Sequence, residues 1–278
     1  AGLLAGQHII QVEDTTTKSQ PEVAADLLRG PENSRVSLLL RRQDGTTQQL
    51  SIARRRVEVP CVENAHITDP AHRVGYLRLT NFQKTTPRDM ERAIWSLRQQ
   101  GMQSLVLDLR GNPGGLLSAA VELADRFIEQ GRIVTTRGRN SRENFQYTAH
   151  RVNTMDLPLA VLIDSDSASA SEIFAGAIAD NRRGVVVGER SYGKGSVQGI
   201  FRMQSAKFGL CLTTAKFYSP SGTAISQNGV HADLAVESND ITGRLSADGH
   251  VTTDREDAVL QAAVERLANQ DRLISQRQ

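Results

Sequence analysis

The sequence predicts an α/β fold, a largely parallel sheet covered by helices, with a small separate unit in front of it. Two observations carry that expectation. Between residues 74 and 188, apolar runs of strand length alternate with amphipathic stretches of helical period, and the strands are too uniformly apolar to keep a solvated face. Residues 1–57 hold their own strand, short helix and hairpin in a length well below that of an ordinary domain. The composition, 39% hydrophobic and 23% charged, is that of a globular chain slightly lean in apolar residues. No apolar run approaches the ~20 residues of a membrane-spanning helix. The longest is Leu157 to Ile163.

In chain order, His8 to Val12 is a strand, and Pro21 to Gly30 is a short helix with Pro at its start and Gly at its end. Arg35 to Arg42 and Gln48 to Ala53 form a hairpin around Asp44-Gly45. Val57-Glu58-Val59-Pro60 reads as the link into the second unit, expected over 58–240. There Val74 to Phe82 is a strand, and Thr86-Pro87 opens a helix to Gly101 with apolar positions Met90, Ile94, Trp95 and Leu97. Ser104 to Arg110 is a second strand, followed by Gly111-Asn112-Pro113-Gly114-Gly115, a turn that no helix or strand could absorb. Leu116 to Glu129 is a helix with an apolar stripe at 116, 120, 123 and 127. Arg132 to Thr136, Leu159 to Ile163 and Gly184 to Gly188 are further strands, with a helix from Ser169 to Asp180 between the last two. The last segment, 241–278, carries an amphipathic helix from Asp254 to Ala268, with Thr253 and Glu256 matching a capping box.

Charge and cysteine usage exclude several function classes. The net charge is +2, without the clustered basic excess that a nucleic-acid binder uses against phosphates. The 33 basic residues divide into 28 arginines and only five lysines: Lys18, Lys84, Lys194, Lys207 and Lys216. Cys61 and Cys211 stand far apart with no CxxC pair, so a disulfide scaffold or structural zinc site is not expected, and both read as half-buried thiols. The chain opens on Ala1-Gly2-Leu3-Leu4 with neither an initiator Met nor a basic n-region, which leads to the expectation of a fragment of a longer protein.

Three segments could carry chemistry. In Ser167-Ala168-Ser169-Ala170-Ser171-Glu172, Ser169 and Glu172 fit the S-x-x-E capping box, so on its own Ser169 reads as a helix cap. The other reading is a nucleophile, since the free N–H groups and positive dipole end of a helix start can stabilise an oxyanion. The second segment, Gly188 to Gln198, almost spells a phosphate-binding loop, but Gly195 stands where the Mg²⁺-binding hydroxyl belongs and no helix pattern follows. Read as a strand, its period of two places Lys194, Ser196 and Gln198 on one face, either a solvated edge or an amine, a hydroxyl and an amide aimed the same way. In the third, Asp108 to Gly115, the glycines expose backbone N–H groups as oxyanion donors or make a tight turn. Together the segments supply the parts of a Ser–Lys hydrolase. A lysine acts as general base only when neutral, a role closed to arginine, which stays protonated. The six histidines fall in no recognisable Ser/His/Asp arrangement.

The segments Asp108 to Gly115, Ser167 to Phe174 and Gly188 to Gln198 resemble the three hallmark motifs of the C-terminal processing (tail-specific) serine peptidases, in that family's order and spacing. The resemblance implies Ser169 as nucleophile, Lys194 as general base, Gln198 as the residue orienting the lysine, and Gly115 with the amide of Ala170 as the oxyanion hole. It gives Asp180 a supporting, structural role. It also implies a ClpP/crotonase-like α/β peptidase core, no cofactor and no metal, protein or peptide substrates with exposed C-termini, and an extracytoplasmic (periplasmic or membrane-associated) location, and it leaves a homo-oligomer open. The N-terminal unit resembles the latter part of a PDZ domain over Gly6 to Val12 and Leu27-Leu28-Arg29-Gly30, truncated at its N-terminus because the carboxylate-binding loop would precede Ala1. In the family such a unit captures substrate tails by strand addition. The alternatives are a PDZ-bearing scaffold with an inactive peptidase fold, against which the intact Ser169, Lys194 and Gln198 argue, and a nucleotide binder, which Gly195 disfavours.

Overall fold

A computed structural model describes residues 3, 7–18, 21–42, 44–55, 60–150, 154–202, 209–237 and 257–275. Val57 to Val59 of the expected link, Gly6, and the expected helix start at Thr253 to Glu256 lie outside the described residues. The chain forms two compact units, Ala1–Val59 and Pro60–Gln278.

The first unit contains β1 (His8–Val12), β2 (Thr15–Thr16), α1 (Pro21–Leu28), β3 (Arg35–Arg41) and β4 (Thr47–Ala53). Its antiparallel sheet runs in the order β2-β1-β3-β4. The alternation of β3 sends Val36, Leu38 and Leu40 inward against Val12 and Ala24, with Ile9, Leu27, Leu50 and Ile52 packed around them. Arg54 closes α1 by donating to the carbonyls of Leu27 (2.7 Å) and Leu28 (3.0 Å), which the helix end would leave orphaned.

The second unit runs β5 (Val62–Asp69), β6 (Val74–Leu79), α2 (Thr86–Gln99), β7 (Ser104–Asp108), α3 (Leu117–Asp125), β8 (Arg132–Gly138), β9 (Phe145–Thr148), β10 (Leu159–Ile163), α4 (Ala170–Asp180), β11 (Val185–Gly188), β12 (Ser196–Arg202), β13 (Gly209–Tyr218), β14 (Leu234–Ala235) and α5 (Ala258–Ser275). The main sheet has the order β14-β11-β10-β7-β6-β5, parallel except for the edge strand β5. Every residue of β7 and β10 is buried, because both faces are covered. Leu105, Leu107, Val161 and Ile163 face the core shared with α2, α3 and α4. Their neighbours Val106, Ala160 and Leu162 face the other way, against Val259, Ala263 and Leu267 of α5.

The structure departs from the sequence reading in identifiable places. Arg132 to Thr136 is a strand, but it joins a separate antiparallel sheet of order β12-β13-β8-β9 instead of extending the parallel one. The helix after the glycine turn stops at Asp125, although Phe127 and Ile128 beyond it are buried as the periodicity requires. Strands β5, β9, β13 and β14 are additional to those expected: β5 is an edge strand with register shifts, half its side chains exposed and none buried. Neither thiol is half-buried. Cys61 lies in the core, where burial raises its pKa, and Cys211 is exposed on β13.

Candidate active site

Ser169 sits where strand β10 has ended and helix α4 begins, with φ 57° and ψ −111°. Positive φ is unfavourable for a residue with a side chain, on the order of 1–3 kcal/mol, and persists only where the surroundings enforce it. A serine held on such a strand-to-helix elbow presents its hydroxyl at the end of the sheet, beside the free N–H groups of the helix start. Ala170, the first residue of α4, is buried.

The Asp108 to Gly115 turn is what enforces the elbow. Gly114 has φ +100°, and a Cβ there would stand 2.6 Å from the Ala168 carbonyl oxygen and 2.8 Å from both the Ala170 nitrogen and the Ser169 Cβ. The two backbones therefore touch where only glycine fits. Asn112, wholly buried, organises the contact. Its side chain donates to the Leu79 carbonyl (2.7 Å) and accepts from the Gly114 amide (2.9 Å), while its carbonyl accepts from Ala168 N (3.0 Å) and Ser171 Oγ (2.9 Å). Gly115 bridges Phe82: Phe82 N donates to the Gly114 carbonyl at 2.8 Å and Leu116 N to the Phe82 carbonyl at 2.9 Å. In a parallel bridge of this kind, the Gly115 amide faces away from Phe82. Asp164 ties the same turn to the approach to Ser169, accepting from Gly111 N (2.9 Å), Asp166 N (3.0 Å) and Ser167 N (2.9 Å).

Glu172 performs the second fastening. Its side chain is wholly buried, and its carboxylate accepts four hydrogen bonds. Oε2 receives Ser169 N (2.7 Å) and Lys194 N (2.9 Å); Oε1 receives Ser191 Oγ (2.6 Å) and Gly193 N (2.6 Å). The capping box read from the sequence is present, but the same carboxylate also collects the amides of the loop that carries Lys194. One buried charge thus holds the serine elbow and the lysine loop together, through donors that satisfy its lone pairs. The Lys194 side chain is exposed and lines a cleft of about 500 Å³ with Gly111, Pro113, Asp166, Ala168 and Tyr192. No hydrogen bond joins Lys194 to the Ser169 hydroxyl among the described residues.

Lys194 lies just before β12, and the segment after it is a strand, the opposite of the helix that a phosphate-binding loop must open. Gln198, in β12, pairs with Thr213 of β13, and its Oε1 accepts from the Cys211 thiol at 3.5 Å. Asp180 ends α4, about 16 Å of helix away from Ser169, and accepts from Ser221 N at 2.8 Å. The structure thus brings Ser169, Ala170, Gly115 and Lys194 into one region, sets Gln198 on the adjoining strand and leaves Asp180 at a distance. Sequence reasoning missed the site roles of Glu172, Asp164 and Asn112. The S-x-x-E spacing was the available signal for Glu172, and it disclosed only the local half of its hydrogen bonding. Among the described residues, no three His, Cys, Asp or Glu side chains gather as a metal-binding cluster.

Residues 73–236 match the peptidase family S41. The chain is 36% identical over 241 residues to a carboxyl-terminal-processing protease of Synechocystis sp., covering 85% of this chain and 56% of the relative. It is 39% identical over 245 residues to a carboxy-terminal-processing protease of Bartonella bacilliformis, covering 85% and 55%. The solved photosystem II D1 C-terminal processing protease is similar with a TM-score of 0.58 at 31% identity, over 85% of this chain and 64% of that one. The chain spans little more than half the length of these curated relatives.

Proposed function

The chain belongs to peptidase family S41, with a mixed α/β fold around an S41 peptidase core, and on that premise we propose that it is a serine endopeptidase cutting protein substrates near their C-termini by a Ser–Lys mechanism. Ser169 Oγ attacks the scissile carbonyl while the Lys194 amine takes its proton. The Gly115 and Ala170 amides receive the developing oxyanion, aided by the dipole of α4. The lysine returns the proton to the leaving amine, and water hydrolyses the acyl-enzyme by the same route. Gln198 orients the lysine, and Asp180 supports the fold.

The observation that carries this reading is the Glu172 carboxylate, which binds the amides of both Ser169 and Lys194. A helix cap alone has no need of the second loop. The N-terminal unit is, on this reading, PDZ-like, and the core is of the ClpP/crotonase kind. The domain limits we propose are 1–57, 58–240 and 241–278. Substrates are proteins or peptides with exposed C-termini, the chain works outside the cytoplasm, and its chemistry calls for no cofactor. No helix among the described residues is long and apolar enough to cross a membrane.

The test is incubation with an unstructured protein, with the cuts mapped by mass spectrometry. Ser169→Ala and Lys194→Ala are each expected to abolish cleavage and keep the fold. Lys194→Arg should be equally inactive, since a guanidinium does not give up its proton. Near-normal turnover by Lys194→Arg would remove the lysine from the role of base.

A further inference from the structure

The glycine turn is fastened at its entrance by a charged cluster that reaches the far end of the chain. The Arg110 side chain, 15% exposed, lies between the carboxylates of Asp108 (2%) and Asp257 (23%). Toward Asp108, Nε donates at 3.0 and 3.1 Å and Nη2 at 2.6 Å. Toward Asp257, Nη1 donates at 2.9 Å and Nη2 at 2.7 Å, a fork of two parallel bonds. Tyr76 adds its hydroxyl to Asp108 at 2.8 Å. The backbone at this point is held as firmly as the side chain. Arg110 N donates to Asp108 Oδ1 (2.9 Å), its carbonyl accepts from Arg78 (3.2 Å), and the next amide, that of Gly111, is the one bound by Asp164.

Of these fastenings, only Asp257 comes from outside the sheet and its loops. It stands immediately before α5 and caps it, Oδ1 accepting from Leu260 N at 3.1 Å. The helix then lays Val259, Ala263 and Leu267 on the sheet face opposite α2, α3 and α4. Both Asp257 and α5 lie beyond the segment that matches the peptidase family, which ends at residue 236.

We propose that Asp257 and Arg110 are a positioning pair through which docking of the C-terminal helix sets the oxyanion-hole turn, so that α5 is a working part of the active site. The proposal rests on the peptidase reading above. Two carboxylates on opposite sides fix the guanidinium plane. With the Asp257 carboxylate weakened or removed, the guanidinium is held from the Asp108 side alone, and the backbone leading to Gly115 loosens. Oxyanion donors act only when held at hydrogen-bond distance from the developing charge, and a displacement of about 1 Å can lower the rate on the order of 10²-fold. A contact that merely stabilised the fold would shift Tm and leave the chemistry of folded molecules alone.

The experiment uses the full chain with Asp257→Asn, Asp257→Glu and Arg110→Lys. Asn keeps an oxygen that caps Leu260 N and still accepts from Nη1, while its NH₂ meets Nη2 donor-to-donor, so the fork to Arg110 is broken and the cap is kept. Two quantities are read: kcat and KM on a fluorogenic peptide, and hydrogen–deuterium exchange over residues 109–116. Asp257→Asn and Arg110→Lys should lower kcat about 10- to 100-fold with KM within about twofold. Exchange at 109–116 should quicken about tenfold while that of β10 stays unchanged. Asp257→Glu should recover part of both. Unchanged kcat alongside a lowered Tm overturns the proposal, as does faster exchange confined to α5, or a fall in kcat without faster exchange at 109–116. If the parent shows no turnover that Ser169→Ala abolishes, the peptidase reading fails, and the exchange measurement still decides the coupling by itself.

Discussion

Replacing Glu172 by Gln is the most searching perturbation of the site, because it alters one atom and almost no volume. The amide NH₂ must take the place of either Oε1 or Oε2. At Oε2 it would point donor-to-donor at the amides of Ser169 and Lys194. At Oε1 it would meet the Gly193 amide in the same way, while the Ser191 hydroxyl, which also accepts from Val230 N, could turn to suit it. The better choice therefore orphans one buried amide and the worse choice two. An unmade buried hydrogen bond costs about 1–3 kcal/mol, and the bonds that survive lose the reinforcement of a charged acceptor. The total is about 2–4 kcal/mol. The lysine loop can relieve it by moving outward, since Lys194 is exposed while Ser169 is anchored by α4. If the relief comes entirely as misalignment of base and nucleophile, kcat falls about 30- to 900-fold. The assay is steady-state cleavage of a fluorogenic peptide, with Tm measured on the same preparations. KM should stay within about twofold, because substrate contacts are untouched. A Glu172→Gln enzyme with kcat within about twofold of the parent and a lowered Tm would show that the carboxylate serves the fold alone, and the reasoning would fail.

Three further outcomes are expected. Gly114→Ala forces a side chain into left-handed backbone and against Ala168 and Ala170; we expect about 2–5 kcal/mol of lost stability and loss of cleavage even in the folded fraction, read by chemical denaturation and by phosphonate labelling of Ser169. Gln198→Ala should lower turnover without abolishing it, and a variant kinetically identical to the parent would remove Gln198 from the mechanism. The third concerns pH. Burial pushes the Asp257 carboxyl up, and the hydrogen bonds from Arg110 with its positive charge more than offset this, leaving its pKa below the ordinary value. A depressed carboxyl contributes stability above its unfolded value of about 4 and loses it as pH falls through the folded value. The Tm gap between parent and Asp257→Asn should therefore be constant near neutrality and close below about pH 4, as calorimetry across that range would reveal.

How much of this was legible in the sequence follows from what each feature is made of. Strand β10 was found to the residue because Leu159 to Ile163 is apolar throughout and buried throughout. Strand β13 was not, because its apolar run Leu210-Cys211-Leu212 is exposed instead of buried, and only the short stretch Ala215-Lys216-Phe217 alternates. The sheet to which β8 belongs is decided by antiparallel pairing with β13, some 80 positions away, which its own residues do not encode. Among the site residues, Ser169, Gly114 and Gly115 were visible since unusual backbone leaves a trace in residue choice: glycine where a Cβ would strike the next loop, and a small side chain at a strained helix start.

The joining of those parts left no such trace. Three of the four donors on Glu172 are backbone amides, of Ser169, Gly193 and Lys194, as are three of the four on Asp164, of Gly111, Asp166 and Ser167, the fourth being Ser167 Oγ. An amide has no letter of its own, so its partner cannot be chosen from the sequence. Only the acceptors, Asp164 and Glu172, are written there, and each has a sufficient local explanation as a turn or cap residue. Such a local role satisfies one or two lone pairs of a carboxylate that offers about four. A buried carboxylate at a helix start beside glycine-rich loops therefore has acceptor capacity to spare. Burial requires that this capacity be filled, since an unmet buried charge is far costlier than an unmet surface one. The loop that fills it here is the one carrying Lys194, and the chemistry proposed for this chain depends on its staying in place.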